Sequence, residues 1–171
     1  MKGQNKAVFL DRDGVINEVM TGRVDHVNRP QDFYLLEKVP EAIAKLRGLG
    51  YKIFVVTNQG GVGLGYIQEK TLKKIHEKMQ NDLIAGHPGA IIDDILYCPH
   101  KPFEGCSCRK PQAGMILELA KKHQVDLSRS WMVGDRQVDL EAGKRAGCRS
   151  VLVSSEYTLW DFACSLDSKE E

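Results

Sequence analysis

The sequence predicts an α/β fold: a doubly wound, mostly parallel sheet with helices on both faces. Three observations carry this. Five short apolar runs alternate with segments of helical periodicity, the pattern of repeated βαβ units. The first run, Ala7-Val8-Phe9-Leu10, is apolar throughout, as in a strand buried on both faces. It then stops abruptly at Asp11-Arg12-Asp13-Gly14. Two carboxylates cannot stay in such a core. They mark the strand's carboxyl end, the edge where open α/β sheets bind ligands.

The remaining strands are expected at Lys52 to Val56, Asp94 to Tyr97, Trp131 to Val133 and Ser150 to Val153. Helices are expected at Pro40 to Leu49, Gln68 to Ile84, Ala113 to Gln124 and Val138 to Ala146. Leu72, Ile75, Met79 and Leu83 recur at helical spacing and define one buried face. Gly50 and Gly147 stand where helix C-caps fall. The segment from Asn17 to Val39 breaks the rhythm and is too long for an ordinary βα connection. Following the acidic pair directly, it is either a substrate-recognition loop over the site or a surface excursion. Near the end, Trp160 and Phe162 either mark a contact surface or pack back onto the domain; the second is expected.

A chain of 171 residues forms one domain with a real core, expected over residues 1–171. Its net charge of +1 gives no basic field for nucleic acid. No apolar run approaches the ~20 residues of a bilayer span, so no membrane is expected. The polar start Met1-Lys2-Gly3-Gln4 has no hydrophobic leader, and a cytoplasmic protein is expected.

Four stretches carry chemistry. Asp11 and Asp13 come first. The second strand runs into Thr57-Asn58-Gln59-Gly60-Gly61, whose hydroxyl, amide and backbone N–H groups suit a phosphate. Arg109-Lys110 supplies positive charge before Pro111. The fourth strand ends in Gly134-Asp135, with Asp139 one helical turn further on. Asp139 either faces the same site or supports a helix N-terminus. In a parallel sheet these ends emerge on one edge. Asp11 and Asp135, helped by the Asp13 backbone, would make an oxygen-rich site for a hard cation such as Mg²⁺.

A separate cluster needs its own account. Cys98, His100, Cys106 and Cys108 fall within eleven residues, among prolines and a glycine that build no regular element. Three thiolates and one imidazole form a tetrahedral zinc set, and four protein ligands make it structural. Zn²⁺ would then order the loop and anchor Arg109 and Lys110. The alternative is three reduced cysteines and a surface histidine in a turn. Cys148 and Cys164 lack such neighbours and are expected as buried small residues or bystanders.

Taken in order, Asp11-Arg12-Asp13-Gly14, Thr57, Lys110, and Gly134-Asp135 with Asp139 resemble the four motifs of the haloacid dehalogenase phosphatase superfamily. The resemblance spans most of the chain. It implies a Rossmann-like fold without a large cap domain. It implies that Asp11 attacks phosphorus and that Asp13 exchanges protons with the leaving group and water. Thr57 and Lys110 would hold the phosphoryl oxygens, and Asp11, Asp13 and Asp135 would bind Mg²⁺. Within the superfamily, the zinc loop is similar to heptose bisphosphate phosphatases and to histidinol-phosphate phosphatase domains; Arg109-Lys110-Pro111 followed by Ala113-Gly114-Met115 looks more like the former. The expected partner is a small phosphorylated sugar, handled by a monomer. Asn58 would bind substrate, and Arg109 and Arg136 would meet its second phosphate. A non-catalytic phosphate binder or a zinc-stabilised interaction protein is the competing class. Asp11 argues against a binder, where a carboxylate beside phosphate only repels.

Overall fold

The computed structural model describes residues 3–168. The first strand, β1 (Lys6–Leu10), is followed by α1 (Val39–Gly48), β2 (Tyr51–Asn58), the single turn α2 (Gly60–Gly63) and α3 (Glu69–Gly86). Then come β3 (Asp94–Cys98), α4 (Gly114–Lys122), β4 (Trp131–Gly134), α5 (Gln137–Ala146), β5 (Arg149–Leu152) and α6 (Leu159–Asp167). The strands form one sheet in the order β3-β2-β1-β4-β5, and every neighbouring pair is parallel.

Strand β1 is central because its residues can be buried on both sides. Val8 and Leu10 join Ile53, Val55 and Val133 in one core layer. Ala7 and Phe9 join Phe54, Val56 and Met132 in the other. This is the period-2 alternation of a strand sandwiched between helices. The first layer is closed by α1, α3 and α6, the second by α4 and α5. Leu72, Ile75, Met79 and Leu83 of α3 are fully buried. Gly50 and Gly147 take left-handed φ angles of 90° and 91° just past α1 and α5, as their positions required.

Strand β2 runs to Asn58, two residues past its expected end, because Thr57 and Asn58 still pair with Tyr97 and Cys98 of β3. Helix α4 stops at Lys122, short of Gln124, which sits at a positive φ of 53°. Two helices went unread. In α2, glycines carry no helical signal. In α6, the signal was present: Thr158 Oγ1 accepts from Asp161 N at 3.3 Å, and Asp161 Oδ2 accepts from Thr158 N at 2.8 Å, a reciprocal cap. That helix buries Phe162 edge-on against Trp131, with ring centroids 5.2 Å apart. Trp160 lies beneath the ammonium groups of Lys38 and Lys45. These aromatic residues therefore pack back on the fold.

The segment between β1 and α1 holds one short 3-10 turn, Pro30–Asp32. Val24, Val27 and Phe33 are buried and pin it to the first core layer. Met20, ahead of those anchors, and His26, between Val24 and Val27, stand exposed beside the carboxyl edge of the sheet.

Candidate active site

The chain leaves β1 towards β2 on one side and later returns to β4 on the other. The carboxyl end of β1 is therefore the switch point where a crevice opens. Asp11 sits there. Its N–H donates to Val133 O at 3.0 Å, extending the β1–β4 ladder by one residue. The next residues turn sharply: the N–H groups of Val15, Ile16 and Asn17 all reach Arg12 O, and Gly14 adopts φ +84°. A Cβ on Gly14 would stand 2.0 Å from Asp135 Oδ2. A Cβ on Gly134 would stand 2.1 Å from Asp139 Cβ. Two glycines thus let the carboxylates of Asp135 and Asp139 close on Asp11.

Asp11, Asp135 and Asp139 each bring an oxygen within 4.8 Å of the others. Lys110 Nζ lies among them. It donates to Asp11 Oδ1 at 2.9 Å and Val56 O at 2.9 Å, and sits 2.7 Å from Asp139 Oδ1. Burial opposes charge on Lys110, but the carboxylates of Asp11 and Asp139 outweigh it and hold its pKa above the usual lysine range. Burial pushes Asp11 up to about 7, against the pull of Lys110, with Asp139 adding to the rise. Burial and then Asp139 likewise raise Asp135. Three carboxylates against one ammonium leave two negative charges, and Asp135 Oδ1 is buried with no hydrogen-bond partner among the described residues. An oxygen-only donor set with that excess charge fits a hard divalent cation.

Asp139 does both things expected of it. Its Oδ2 accepts from Arg136 N at 3.1 Å, supporting the start of α5, while Oδ1 faces Lys110. The carboxylate of Asp13 stands outside the cluster that Asp11, Asp135 and Asp139 form. Its Oδ1 takes donors from Arg12 and Asn17, and its Oδ2 accepts from Gln59 Nε2 at 3.2 Å. Burial works against its charge, yet Arg12 and these hydrogen bonds hold its pKa below the usual carboxylate range. Thr57 is buried at the same edge, its Oγ1 accepting from Gln59 Nε2 at 2.8 Å.

Asn58 faces the backbone of Lys110. Its Nδ2 donates to Lys110 O at 3.1 Å and its Oδ1 accepts from Lys110 N at 2.9 Å. Its amide thus clamps the Lys110 backbone, and its side chain also lines the cavity. Arg109 lies beside it and donates from Nη1 to His100 O at 3.2 Å. Arg136 is exposed across the opening. Both arginines line a cavity of about 580 Å³ together with Asp11, Asp13, Met20 and His26. The long segment after β1 thus forms part of the site's wall.

The cysteine cluster assembles beside this cavity. His100 Nδ1 lies 3.3 Å from Cys98 Sγ and 3.2 Å from Cys108 Sγ, and Cys106 Sγ lies 3.6 Å from Cys98 Sγ. All four ligand atoms fall within 4.8 Å of one another, the spacing a tetrahedral thiophilic ion needs. The loop is fastened to β2 and α2 by Gln59 N to Cys98 O and Gly63 N to Pro99 O, each at 2.8 Å.

Among the described residues, five buried polar ones had not been singled out from sequence: Arg12, Asn17, Gln59, His76 and Ser130. Arg12 and Gln59 lie inside the motifs, but His76 looks like any residue on the apolar face of α3.

This geometry has close counterparts. A family model described as HAD-hydrolase-like matches residues 107–159. The chain is 39% identical over 155 residues to D-glycero-beta-D-manno-heptose-1,7-bisphosphate 7-phosphatase of Helicobacter pylori, covering 91% of this chain and 86% of that one. The chain belongs to the haloacid dehalogenase phosphatases. It is 40% identical to the D-glycero-alpha-D-manno-heptose-1,7-bisphosphate 7-phosphatase of Photorhabdus laumondii, over 83% of this chain and 78% of the relative. The crystal structure of D,D-heptose 1,7-bisphosphate phosphatase from B. bronchiseptica, complexed with magnesium and phosphate, superposes with a TM-score of 0.86. It shares 33% identity and covers 96% of this chain and 99% of its own. As a member of this superfamily the chain is a phosphoric monoester hydrolase.

Proposed function

We propose that this phosphatase removes the 7-phosphate of D-glycero-D-manno-heptose 1,7-bisphosphate with Mg²⁺ as cofactor. The observation that carries it is Lys110: one buried ammonium bridges Asp11 and Asp139 at the mouth of a cavity flanked by two arginines. The names of the relatives supply the sugar.

Asp11 is the nucleophile. Its attack forms an aspartyl-phosphate, splitting one hard displacement into two easier ones. Asp13 gives a proton to the leaving oxygen and then takes one from the attacking water. An arriving phosphate puts negative charge beside Asp13 and raises its proton affinity for the first of these steps. Lys110 and Thr57 bind the phosphoryl oxygens. Asp11 and Asp135, with the Asp13 backbone, would hold Mg²⁺, and Asp139 borders them. When bound, the cation offsets the charge of these carboxylates and of the phosphoryl group. Arg109 and Arg136 receive the second phosphate, for which a guanidinium is well shaped. The enzyme acts as a cytoplasmic monomer in this reading; no helix among the described residues is long and apolar enough to cross a membrane.

The test is Mg²⁺-dependent phosphate release from both anomers of heptose 1,7-bisphosphate and from histidinol phosphate. At least a ~10-fold preference in kcat/KM for a bisphosphate is expected, about 1.4 kcal/mol of transition-state binding. Equal or reversed preference overturns the assignment of the sugar.

Cys98, His100, Cys106 and Cys108 bind structural Zn²⁺ in the same reading. Burial pushes the Cys98 thiol up to about 12, so metal uptake must displace its proton. Arg109 and Lys110 follow Cys108 directly, so losing zinc displaces them while leaving Asp11 and Asp135 in place. Cys106→Ser should lower zinc content, melting temperature and phosphate release together, with Mg²⁺ affinity retained. Metal analysis and calorimetry check this; full turnover and full stability in Cys106→Ser would contradict it.

A further inference from the structure

Behind Asp13 lies a buried cation to which the phosphoryl chemistry assigns no task. Arg12 is 1% exposed and heads the fully buried side chains in size. A guanidinium at such depth must be paired on several sides. Its Nε and Nη2 donate to Asp13 Oδ1 at 3.0 and 2.8 Å. Its Nη1 meets His76 Nε2 at 3.2 Å. Arginine can only donate, so Nε2 offers a lone pair and the ring proton sits on Nδ1. Burial and the neighbouring Arg12 push His76 down to about 3, which keeps the ring neutral.

The consequence falls on the two oxygens of Asp13. Oδ1 receives both Arg12 donors and Asn17 Nδ2 at 3.0 Å, which leaves it no direction for a proton. Among the described residues, Oδ2 receives only Gln59 Nε2 at 3.2 Å, and that amide is shared with Thr57 Oγ1. We propose that Arg12, held in place by His76, is a positioning residue that fixes Asp13 so that Oδ2 alone carries the transferred proton. This rests on the reading of Asp13 as general acid.

The steps balance with Arg12 unchanged throughout. In the first, an Asp11 oxygen bonds to phosphorus and the scissile P–O electron pair leaves with the sugar oxygen. That oxygen takes the proton from Asp13 Oδ2. In the second, water oxygen bonds to phosphorus, its proton goes to Oδ2, and the acyl-phosphate electron pair returns to Asp11.

The experiment compares two substrates of the Mg²⁺-loaded full chain. A primary alkyl phosphate needs its leaving oxygen protonated; 2,4-dinitrophenyl phosphate does not. Arg12→Gln and His76→Leu should lower kcat/KM for the alkyl ester by about 10- to 100-fold, part of what general acid catalysis supplies. The aryl ester should lose less than about 3-fold on the same argument. His76→Gln keeps an acceptor for Arg12 and should restore most of the loss. Should Arg12→Gln fail to fold, the two His76 variants decide alone. Equal losses on both esters, or no loss in His76→Leu, overturn the proposal. Asp13→Asn separates the two layers. If it too loses equally on both esters, the general-acid reading falls and takes the proposal with it. If Asp13→Asn discriminates between the esters while the Arg12 and His76 variants do not, only the positioning role falls.

Discussion

Asp11→Asn should reduce Mg²⁺-dependent phosphate release by about 10⁴-fold or more, in line with removal of a nucleophile from other hydrolases, without unfolding the protein. The amide carries no charge and cannot form the aspartyl-phosphate. It does keep an oxygen for the two donors that meet Asp11 Oδ1, Arg12 N and Lys110 Nζ, both at 2.9 Å. The native carboxylate is costly to hold. Its pKa is raised to about 7 from 3.8, so the folded state binds that proton more tightly than the unfolded chain. The resulting penalty on the metal-free fold begins as pH rises past the unfolded value and is complete above about 7. Replacing the carboxylate by an amide removes it, so at pH 8 without metal the variant should melt no lower than the parent. Phosphate release and thermal melting, measured together, separate a dead enzyme from an unfolded one. Retained turnover would remove Asp11 from the nucleophile role.

Lys110→Met is expected to damage both stability and catalysis. Lys110 is 4% exposed and sits against two carboxylates. Methionine fills the space but leaves Asp11 and Asp139 facing each other unpaired. Breaking such a buried pair costs about 3–5 kcal/mol, or roughly 10 °C in melting temperature for a domain of this size. The ammonium's own contribution has the opposite pH sign from that of Asp11. Its native pKa is raised, so its stabilisation is full below the ordinary lysine value and is lost as pH rises through the native one. Saturating Mg²⁺ should recover part of the lost stability, because the cation offsets the same carboxylates. It should not recover activity, since the loss of a phosphoryl donor costs about 10²- to 10³-fold in kcat. Melting curves with and without Mg²⁺, beside phosphate release, check this. A variant that melts normally and turns over within a few-fold of the parent would place Lys110 outside the machinery. Arginine is no substitute, because its planar fork does not fit a pocket shaped for one ammonium.

How much of this was readable beforehand depends on how local each feature is. Strand β1 and the acidic turn after it could be read because four apolar residues cannot be followed by two carboxylates anywhere but at a strand's end. The buried face of α3 followed from the spacing of Leu72, Ile75, Met79 and Leu83, since helical periodicity is a property of the chain itself. The cysteine set was visible because all four candidate ligands lie close together in sequence.

What only the tertiary structure decided are the contacts between distant segments. Asn58 spends its amide on the backbone of Lys110, 52 positions away, and this could not be distinguished from a free donor by residue type. Gly14 looks like a turn glycine, but it is required because the carboxylate of Asp135, from a distant segment, occupies the space of its missing Cβ. His76 meets Arg12 across 64 positions, from a helix face that reads as plain core. The sequence by itself determined the α/β architecture, the edge that carries the chemistry and the residue types gathered there, because these follow from burial and local periodicity. Which oxygen of each carboxylate is tied, and by what, was decided by packing, because hydrogen-bond partners are selected by distance in space and leave no mark on spacing along the chain.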